Sequence, residues 1–256
     1  MENEKKTFTG MKENHIEGRN AVLEAFRSGR TIDKLYVLDG CQDGPVRSIT
    51  REARKHDTIV NYVTKERLDQ ISETGKHQGV IAVSAAYDYA RVEDILALAE
   101  KKGEPPFILI LDGIEDPHNL GAIIRTANQA GAHGVIIPKR RAVGLTPTVA
   151  RTSAGAVNYV PVAKVTNISN TMKELKNRGM WFVCADMDGT LMYDMDLTGP
   201  IGLVIGNEGD GVSPLVKKNC DMVASIPMKG DIDSLIASEA AGVLSYEIVR
   251  QRMKKG

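Results

Sequence analysis

The chain has 256 residues, 42% of them hydrophobic, and its 33 basic and 33 acidic residues leave no net charge. That length allows one or two domains with a buried core. Because the net charge is zero, the protein as a whole has no positive electrostatic field that would attract nucleic acid. Any RNA contact must therefore depend on local basic patches. Three scattered cysteines argue against a disulfide framework or a zinc site, and the charged amino terminus lacks an apolar signal segment. We therefore expect a cytoplasmic protein without metal or membrane anchor.

The amino-terminal third predicts a small domain. Residues 1–13 are polar and aperiodic, and we expect them to form a mobile tail. Over residues 14–88, helical patterns alternate with the short apolar runs "KLYVL", "TIVNYV" and "GVIAVSAA", which predicts a compact α/β unit. Residues 89–106 form a charged helical pattern closed by Gly103 and two prolines, so we place a linker helix and the domain boundary there.

The remaining residues, 107–256, predict a second α/β domain. The runs "FILILDGI", "GVIIP", "MWFVCA", "GLVIG" and "MVASIPM" are nearly continuous in apolar residues and are separated by helical or turn segments. This pattern is typical of a doubly wound parallel sheet buried on both faces. Helices are predicted from about Asn119 to Ala130 and from about Ser234 to Met253.

The segment "DPHNLGAIIRTANQAGAHGV" from Asp116 places Arg125 on a helix whose first turn contains Asn119. Residues six apart do not share a helical face, so a common site requires Asn119 at the cap and a long arginine side chain that reaches back. The alternative is a surface arginine on an amphipathic helix with an asparagine N-cap. The spacing leaves both readings open.

Two later segments follow predicted strands. "LVIGNEGDGV" places Gly206, Glu208 and Gly209 at the carboxyl edge of the sheet, where ligands of α/β proteins usually bind. The alternative is a glycine-rich connection with solvated acids. "IPMKGDIDSLIASEAAG" from Ile226 enters the last helix, where Ser234 is either a ligand contact or a plain N-cap.

The three segments occur in the order and spacing of the motifs of SpoU-type RNA ribose 2'-O-methyltransferases of the SPOUT superfamily. "HIEGRNAVLEAF", "KHQGV" and "PKRRAVGLTPTVARTSAGA" also resemble that branch, and the resemblance extends from about residue 14 to 253. It is nearest to bacterial enzymes of the RlmB type, which methylate a guanosine ribose of 23S ribosomal RNA. The resemblance implies S-adenosylmethionine as cofactor, a homodimer, an amino-terminal RNA-binding domain and a catalytic domain with a deep trefoil knot. Transfer RNA remains an alternative substrate, since related enzymes use it with the same motifs.

Site residues also follow from the resemblance. The cofactor adenosine would be surrounded by Gly206, Ile226 and Leu235. The catalytic group would consist of Arg125, often from the neighbouring subunit, with Asn119, Glu208 and Ser234. A guanidinium can stabilise a developing alkoxide or hold a phosphate, whereas its pKa above about 12 argues against a role as a base.

RNA contacts are predicted at two places. Arg19 lies in the first domain, and the basic loop "PKRRAVG" supplies Lys139, Arg140 and Arg141 directly after a strand. Such side chains suit phosphate contacts. A solvated basic loop is the alternative.

The third motif departs from the family pattern, which usually reads "SLN" followed by small residues and valine. Here Ile236 replaces the asparagine and Glu239 replaces an apolar residue. The missing amide removes hydrogen-bonding groups, and burial of an unpaired carboxylate in the knot or dimer interface would be costly. We predict impaired methyl transfer, with an RNA-binding scaffold that has lost transfer as the alternative.

A competing motif lies in "WFVCADMDGTL", which resembles the first motif of haloacid dehalogenase-type phosphatases. Asp186 would be the nucleophile and Asp188 the acid and base, with magnesium between them. Those enzymes place the motif near the start of their fold and need later catalytic groups, for which too little chain remains. We therefore expect Ala185 and Asp186 to lie at a strand end beside the cofactor.

Overall fold

The computed structural model describes residues 14–207, 209–231 and 234–255. The predicted tail at 1–13 and Glu208 lie outside the described residues. The chain divides into two compact units. One comprises the described residues up to Asp88 with Leu145–Pro147, and the other comprises Tyr89–Gly144 with the described residues from Thr148 onward.

The first unit contains a four-stranded sheet in the order β1-β4-β2-β3. Its elements are β1 (His15–Glu17), α1 (Arg19–Arg27), β2 (Ile32–Leu38), α2 (Gly44–Lys55), β3 (Ile59–Val63), α3 (Lys65–Ile71) and β4 (Val80–Ser84). β4 runs antiparallel to β1 and β2, whereas β3 is parallel to β2. Helix α1 buries Val22, Ala25 and Phe26, which recur at the spacing of one helical face. They pack with the apolar face of α2 against the sheet.

The second unit contains a six-stranded parallel sheet in the order β10-β8-β9-β5-β6-β7. Its strands are β5 (Phe107–Asp112), β6 (Gly134–Pro138), β7 (Val162–Val165), β8 (Trp181–Leu191), β9 (Ile201–Gly206) and β10 (Met222–Ser225). The helices are α4 (Val92–Lys102), α5 (Pro117–Gln129), α6 (Pro147–Thr152, in this unit from Thr148), α7 (Ile168–Lys176), α8 (Pro214–Lys218) and α9 (Ala237–Lys255). The predicted doubly wound parallel sheet is confirmed.

Burial explains why these apolar runs form strands. Phe107–Leu111 in the central strand β5 are all buried, as expected where helices cover both faces of a parallel sheet. Helix α4 packs directly on this sheet. A Cβ atom at Gly134 would lie 2.6 Å from Ile95 of α4, so the absence of a side chain in β6 lets the helix approach. Segment 92–102, which the sequence suggested as a linker helix, therefore contributes to the core of the second unit.

Two helix starts differ from the sequence-based expectation. Helix α5 begins at Pro117, and its N-cap is Asp116, whose carboxylate accepts hydrogen bonds from the backbone N–H groups of His118 and Asn119 at 3.1 and 3.3 Å. Proline at the first helical position favours this earlier start. The prediction of an asparagine N-cap is therefore wrong, because Asn119 lies in the first turn.

The last helix begins later than expected. The backbone carbonyl of Ile236 accepts the first helical hydrogen bonds, from Glu239 at 3.0 Å and Ala240 at 3.1 Å. Helix α9 accordingly starts at Ala237. Ser234 is not its N-cap, so its side chain is not required to close that helix.

Within the described ranges, no helix is long and apolar enough to cross a membrane. Those same ranges contain no group of three or more His, Cys, Asp or Glu side chains that could hold a metal ion.

Candidate active site

A local break in strand pairing opens the carboxyl edge of the second sheet. Val223 of β10 pairs with Cys184 of β8, but the next residue of β10 pairs with Thr190, so residues 185–189 bulge out of the ladder. Gly189 closes the bulge against the neighbouring strand. A Cβ atom there would lie 2.5 Å from the carbonyl oxygen of Val223, so a side chain is excluded.

The loop after β9 folds back onto the end of its own strand. A Cβ atom at Gly206 would lie 2.0 Å from the carbonyl carbon of Gly211, so the fold requires glycine at this strand end. The side-chain oxygen of Asn207 accepts hydrogen bonds from the backbone N–H groups of Gly209 at 2.9 Å and Asp210 at 2.7 Å. The turn is therefore fixed by the short polar side chain of Asn207, and it exposes backbone atoms rather than large side chains.

The bulge of β8 and the loops after β9 and β10 meet with the start of α9 around a cavity of about 330 Å³. Four of the predicted site residues line it, namely Gly206, Ile226, Ser234 and Leu235. The bulge also brings Ala185 and Asp186 to this cavity, although they lie within β8 rather than at a strand end, and their contact with the cofactor stays a prediction. The second and third motifs thus converge on one place through the topology of the sheet, because the carboxyl ends of neighbouring parallel strands share one edge.

The charge at this cavity is acidic. Asp186 and Asp210 line it, and no lysine, arginine or histidine does so among the described residues. The carboxylate of Asp186 pairs with the ammonium group of Lys217 on α8 at 2.6 Å and accepts the backbone N–H of Asp188 at 3.2 Å. The hydrogen bond from Lys217 holds the pKa of Asp186 below its usual range, and the same bond raises the pKa of Lys217. The Asp186 carboxylate is therefore ionised and fixed in direction.

Asn119 connects the first and third motifs. Its side-chain oxygen accepts a hydrogen bond from the hydroxyl of Ser238 on α9 at 2.8 Å, and the residue is buried. The neighbouring helix α6 packs tightly here, since a Cβ atom at Gly121 would lie 1.8 Å from the hydroxyl oxygen of Thr152. Sequence reasoning missed Ser238, and its position in the second residue of a helix gave no signal for a partner 119 residues away.

Arg125 does not join the cavity within one chain. It is exposed on α5, is absent from the cavity wall, and makes no hydrogen bond or ion pair with another described residue. Glu208, the remaining member of the predicted catalytic group, lies outside the described residues.

The two departures in the third motif are both exposed. Ile236 is 49% exposed, and Glu239 lies on the surface of α9 in the first helical turn. The Glu239 carboxylate is therefore not buried within the single chain, and its burial in a dimer interface stays a prediction. Ala237 and Ala241 on the same helix are buried, and Glu239 lies on the opposite, solvent-facing side of α9.

The predicted RNA-contact residues fall in both units. Arg140 and Arg141 are exposed in the turn after β6, whereas Lys139 is half-buried and has a partner. In the first unit, the guanidinium of Arg19 pairs with Asp43 at 2.7 Å, and its Nε donates to the backbone carbonyl of Gln78 at 3.0 Å. Arg19 is therefore held by intramolecular contacts.

Comparison with known proteins identifies families for both units. Residues 106–246 match the SpoU rRNA Methylase family, and residues 15–90 match the family described as RNA 2'-O ribose methyltransferase substrate binding. YacO of Bacillus subtilis, named as a TrmH family tRNA/rRNA methyltransferase, is 48% identical over 94% of this chain and 97% of its own length. A protein of Staphylococcus saprophyticus named in the same way is 46% identical, with the same coverage of both chains.

A solved structure gives the same result. The SpoU methyltransferase AviRb from Streptomyces viridochromogenes, in complex with AdoMet, aligns with a TM-score of 0.60 and 27% identity over 94% of this chain and 91% of that chain. The cavity here fits such a cofactor, because its glycine-rich wall leaves backbone accessible and the carboxylate of Asp210 suits a sulfonium cation. The chain therefore belongs to the SpoU family of S-adenosylmethionine-dependent RNA methyltransferases.

Proposed function

We propose that the protein transfers a methyl group from S-adenosylmethionine to a ribose 2'-hydroxyl of RNA, at a guanosine of 23S ribosomal RNA. The observation that carries the proposal is the convergence of the loops of the second and third motifs, together with the bulge of β8, on one acidic, glycine-walled cavity at the carboxyl edge of the parallel sheet. The match of residues 15–90 to a substrate-binding family of ribose 2'-O-methyltransferases supports the ribose 2'-oxygen as the methyl acceptor. Transfer RNA is the second candidate, since the Bacillus subtilis relative is named for both RNAs.

We assign a separate role to each of the two units. We assign residues 14–88 to RNA substrate binding, 89–106 to a connecting helix that packs on the second sheet, and 107–256 to a knotted catalytic domain. Arg140 and Arg141 are exposed cations available for phosphate contacts. We propose the cytoplasm as the location, where the RNA substrate is found.

In the catalytic unit, Gly206, Ile226 and Leu235 would hold the adenosine. Bound S-adenosylmethionine supplies an electrophilic methyl group. Gly206 keeps the strand end open for close backbone contact, and Lys217 fixes the direction of the Asp186 carboxylate beside the cavity. These groups bind and orient the cofactor. Positioning of both reactants is a large part of what such a transfer requires.

Activation of the ribose is assigned to Arg125. A ribose hydroxyl is a poor nucleophile near neutral pH, and a guanidinium can stabilise the alkoxide that develops as the proton leaves. Asn119, fixed by Ser238, and Ser234 at the cavity wall are the neutral polar groups available to orient the ribose. Glu208 keeps its predicted role of orienting the arginine.

Arg125 reaches a cavity most simply in a homodimer. Within the single chain its guanidinium has no described partner, and helix α9 exposes Val243, Tyr246 and Met253 along one face. Apolar side chains in such a row on a helix suit burial against another surface. We propose that a second copy covers this face and that Arg125 acts on the cavity of the partner subunit.

Methyl incorporation from labelled S-adenosylmethionine into unmodified 23S ribosomal RNA and into transfer RNA tests this proposal. We expect incorporation into ribosomal RNA, and a fall in kcat of about 100-fold or more for Arg125→Ala, since loss of one group that stabilises a developing charge has an effect of that size. Binding of S-adenosylmethionine should be unchanged in this variant, and Arg125→Lys should restore part of the rate.

Three outcomes would contradict parts of the proposal. Incorporation into transfer RNA alone would favour the second substrate. Tight RNA binding without any incorporation would favour a scaffold that has lost transfer. Equal rates for Arg125→Ala and wild type would remove the role of the arginine.

A further inference from the structure

We propose that the first unit contains a recess that binds one unpaired nucleobase of the RNA, stacked on the guanidinium of Arg19. The inference rests on the proposed function, because it takes the substrate to be RNA. The recess has a volume of about 470 Å³ and is lined by Arg19, Leu38, Gln78 and Gly79. It lies where β1 and β2 end and β4 begins, at one edge of the small sheet.

The guanidinium of Arg19 is held as a rigid plane. Its Nε donates to the backbone carbonyl of Gln78 at 3.0 Å, and one terminal nitrogen pairs with the carboxylate of Asp43 at 2.7 Å. These anchors lie on separate segments, so the plane cannot rotate without breaking one of them. About a third of the side chain (31%) stays exposed. A fixed, partly exposed guanidinium is a platform on which an aromatic base can stack.

The loop that carries Gln78 is held in an unfavourable backbone conformation. Gln78 and Gly79 have φ angles of +51° and +82°. Non-glycine residues rarely adopt such angles unless surrounding contacts enforce them, and such positions cluster at ligand sites. His77 supplies one of these contacts, because its Nδ1 accepts the backbone N–H of Gly79 at 3.0 Å and its Nε2 lies 2.9 Å from Asp69.

A second anchor holds the beginning of the same loop. The carboxylate of Glu17 accepts hydrogen bonds from the hydroxyl of Ser72 at 2.7 Å, from the backbone N–H of Glu73 at 2.5 Å, and from the hydroxyl of Thr74. Segment 72–79 is thus held at one end by Glu17 and at the other end by Arg19. A recess held in this way is formed before the RNA binds, so little ordering is needed on binding.

The side chain of Gln78 provides a donor for the base. Its oxygen accepts the backbone N–H of Arg19 at 3.2 Å, whereas its amide nitrogen has no partner among the described residues. Gly79 adds no side chain, and a Cβ atom there would lie 3.5 Å from the Cβ of Leu38. The recess therefore offers a cationic plane, an apolar wall and one N–H donor, which together match the face and the edge of a base.

The local charge favours a base over a phosphate. Asp43 neutralises Arg19 at 2.7 Å, and Asp39, next to Leu38 in sequence, is exposed at the same edge. A phosphate placed against this guanidinium would approach carboxylates, whereas a neutral base would not. Bases within a duplex are stacked and paired, so the ligand is an unpaired nucleotide of a loop or bulge.

RNA hairpins with a single-stranded loop test the recess when each loop position is compared with an abasic nucleotide. The two RNAs carry the same phosphates, so the ratio of their Kd values isolates the base. For wild type, we expect one position at which removal of the base weakens binding about tenfold, the usual effect of losing one stacked base. Fluorescence anisotropy at one fixed salt concentration measures both affinities.

Two variants remove separate features of the recess. Gln78→Glu keeps the acceptor for the Arg19 N–H but removes the donor, and Gln70→Glu on α3 is the control for added charge. Arg19→Lys keeps the charge but removes the plane, and Arg54→Lys on α2 is its control. We expect Gln78→Glu and Arg19→Lys to lower the ratio of the abasic Kd to the base-bearing Kd to nearly one. Both controls should keep the wild-type ratio.

The outcomes separate the recess from the proposed function. Wild type that binds and methylates RNA, yet tolerates an abasic nucleotide at every loop position, would overturn the recess alone. The same ratio in Gln78→Glu and Gln70→Glu would also overturn it. Wild type without affinity for any RNA would overturn both proposals. Affinity for S-adenosylmethionine and the unfolding temperature show that each variant is folded.

Discussion

The cavity of the second unit and the recess of the first unit are built by different physical means. In the second unit the cavity depends on backbone packed against backbone, and Gly206 and Gly189 are positions where a side chain has no room. In the first unit the recess depends on side-chain hydrogen bonds, with Glu17 and Arg19 holding a loop that is remote in sequence. A site of the first kind fails by steric exclusion, whereas a site of the second kind weakens one hydrogen bond at a time.

The largest expected effect is that of Gly206→Ala. Its methyl group would lie about 2 Å from the backbone of Gly211, so the loop must move away and the cavity must change shape. We expect affinity for S-adenosylmethionine to fall more than about 100-fold by calorimetric titration. Gly209→Ala is the matched control, since its Cβ atom would lie 3.7 Å from its nearest neighbour, in ordinary contact. Equal affinities for the two variants would contradict the steric account.

The third motif provides a test of intermediate size. Ile236 and Glu239 are exposed near the cavity, so replacing them need not disturb the core of the chain. Because an asparagine amide would restore hydrogen-bonding groups that isoleucine lacks, we expect Ile236→Asn with Glu239→Val to raise turnover roughly three- to tenfold. Ile236→Ala, which adds no amide, should leave the rate unchanged. A rate for the double variant equal to that of wild type would contradict the predicted impairment.

The smallest effect is expected in the first unit. Burial raises the pKa of Glu17, but hydrogen bonds from Thr74 and Ser72 outweigh it and lower the pKa from 4.5 to about 2. Its stabilisation is therefore fully present above pH 4.5 and is lost as the pH falls toward 2. Glu17→Gln should reduce the free energy of unfolding by about 1 kcal/mol at neutral pH, with solvent screening limiting the effect.

Urea unfolding across that pH window measures the Glu17 effect. The difference between wild type and Glu17→Gln should shrink as the pH is lowered. Glu24→Gln on α1, an exposed glutamate, is the control and should show no such trend. A difference independent of pH would mean that the carboxylate charge does not stabilise the loop.

Much of the second unit could be predicted from the sequence, because apolar runs and glycine-rich turns are local signals. The parallel sheet was predicted from such runs, and Gly206, Ile226 and Leu235 line one cavity at the carboxyl edge of that sheet. Their roles toward the cofactor remain predictions, as do the roles of Arg125 and Asn119.

Other features could not be predicted, because they depend on contacts remote in sequence. The bulge at 185–189 follows from pairing with β10, and the bond from Ser238 to Asn119 follows from the packing of α5 on α9. The start of α9 at Ala237 was also not marked by a local signal. The anchors on Arg19 likewise depend on residues far along the chain.

The most direct test of the account is the identity of the methylated atom. Unmodified 23S ribosomal RNA is treated with the protein and S-adenosylmethionine, digested to nucleosides and analysed by mass spectrometry, with Gly206→Ala as the inactive control. The account predicts 2'-O-methylguanosine from wild type and none from the variant. A methyl group on a base, or no methylated nucleoside from a wild-type protein that binds both RNA and S-adenosylmethionine, would contradict it.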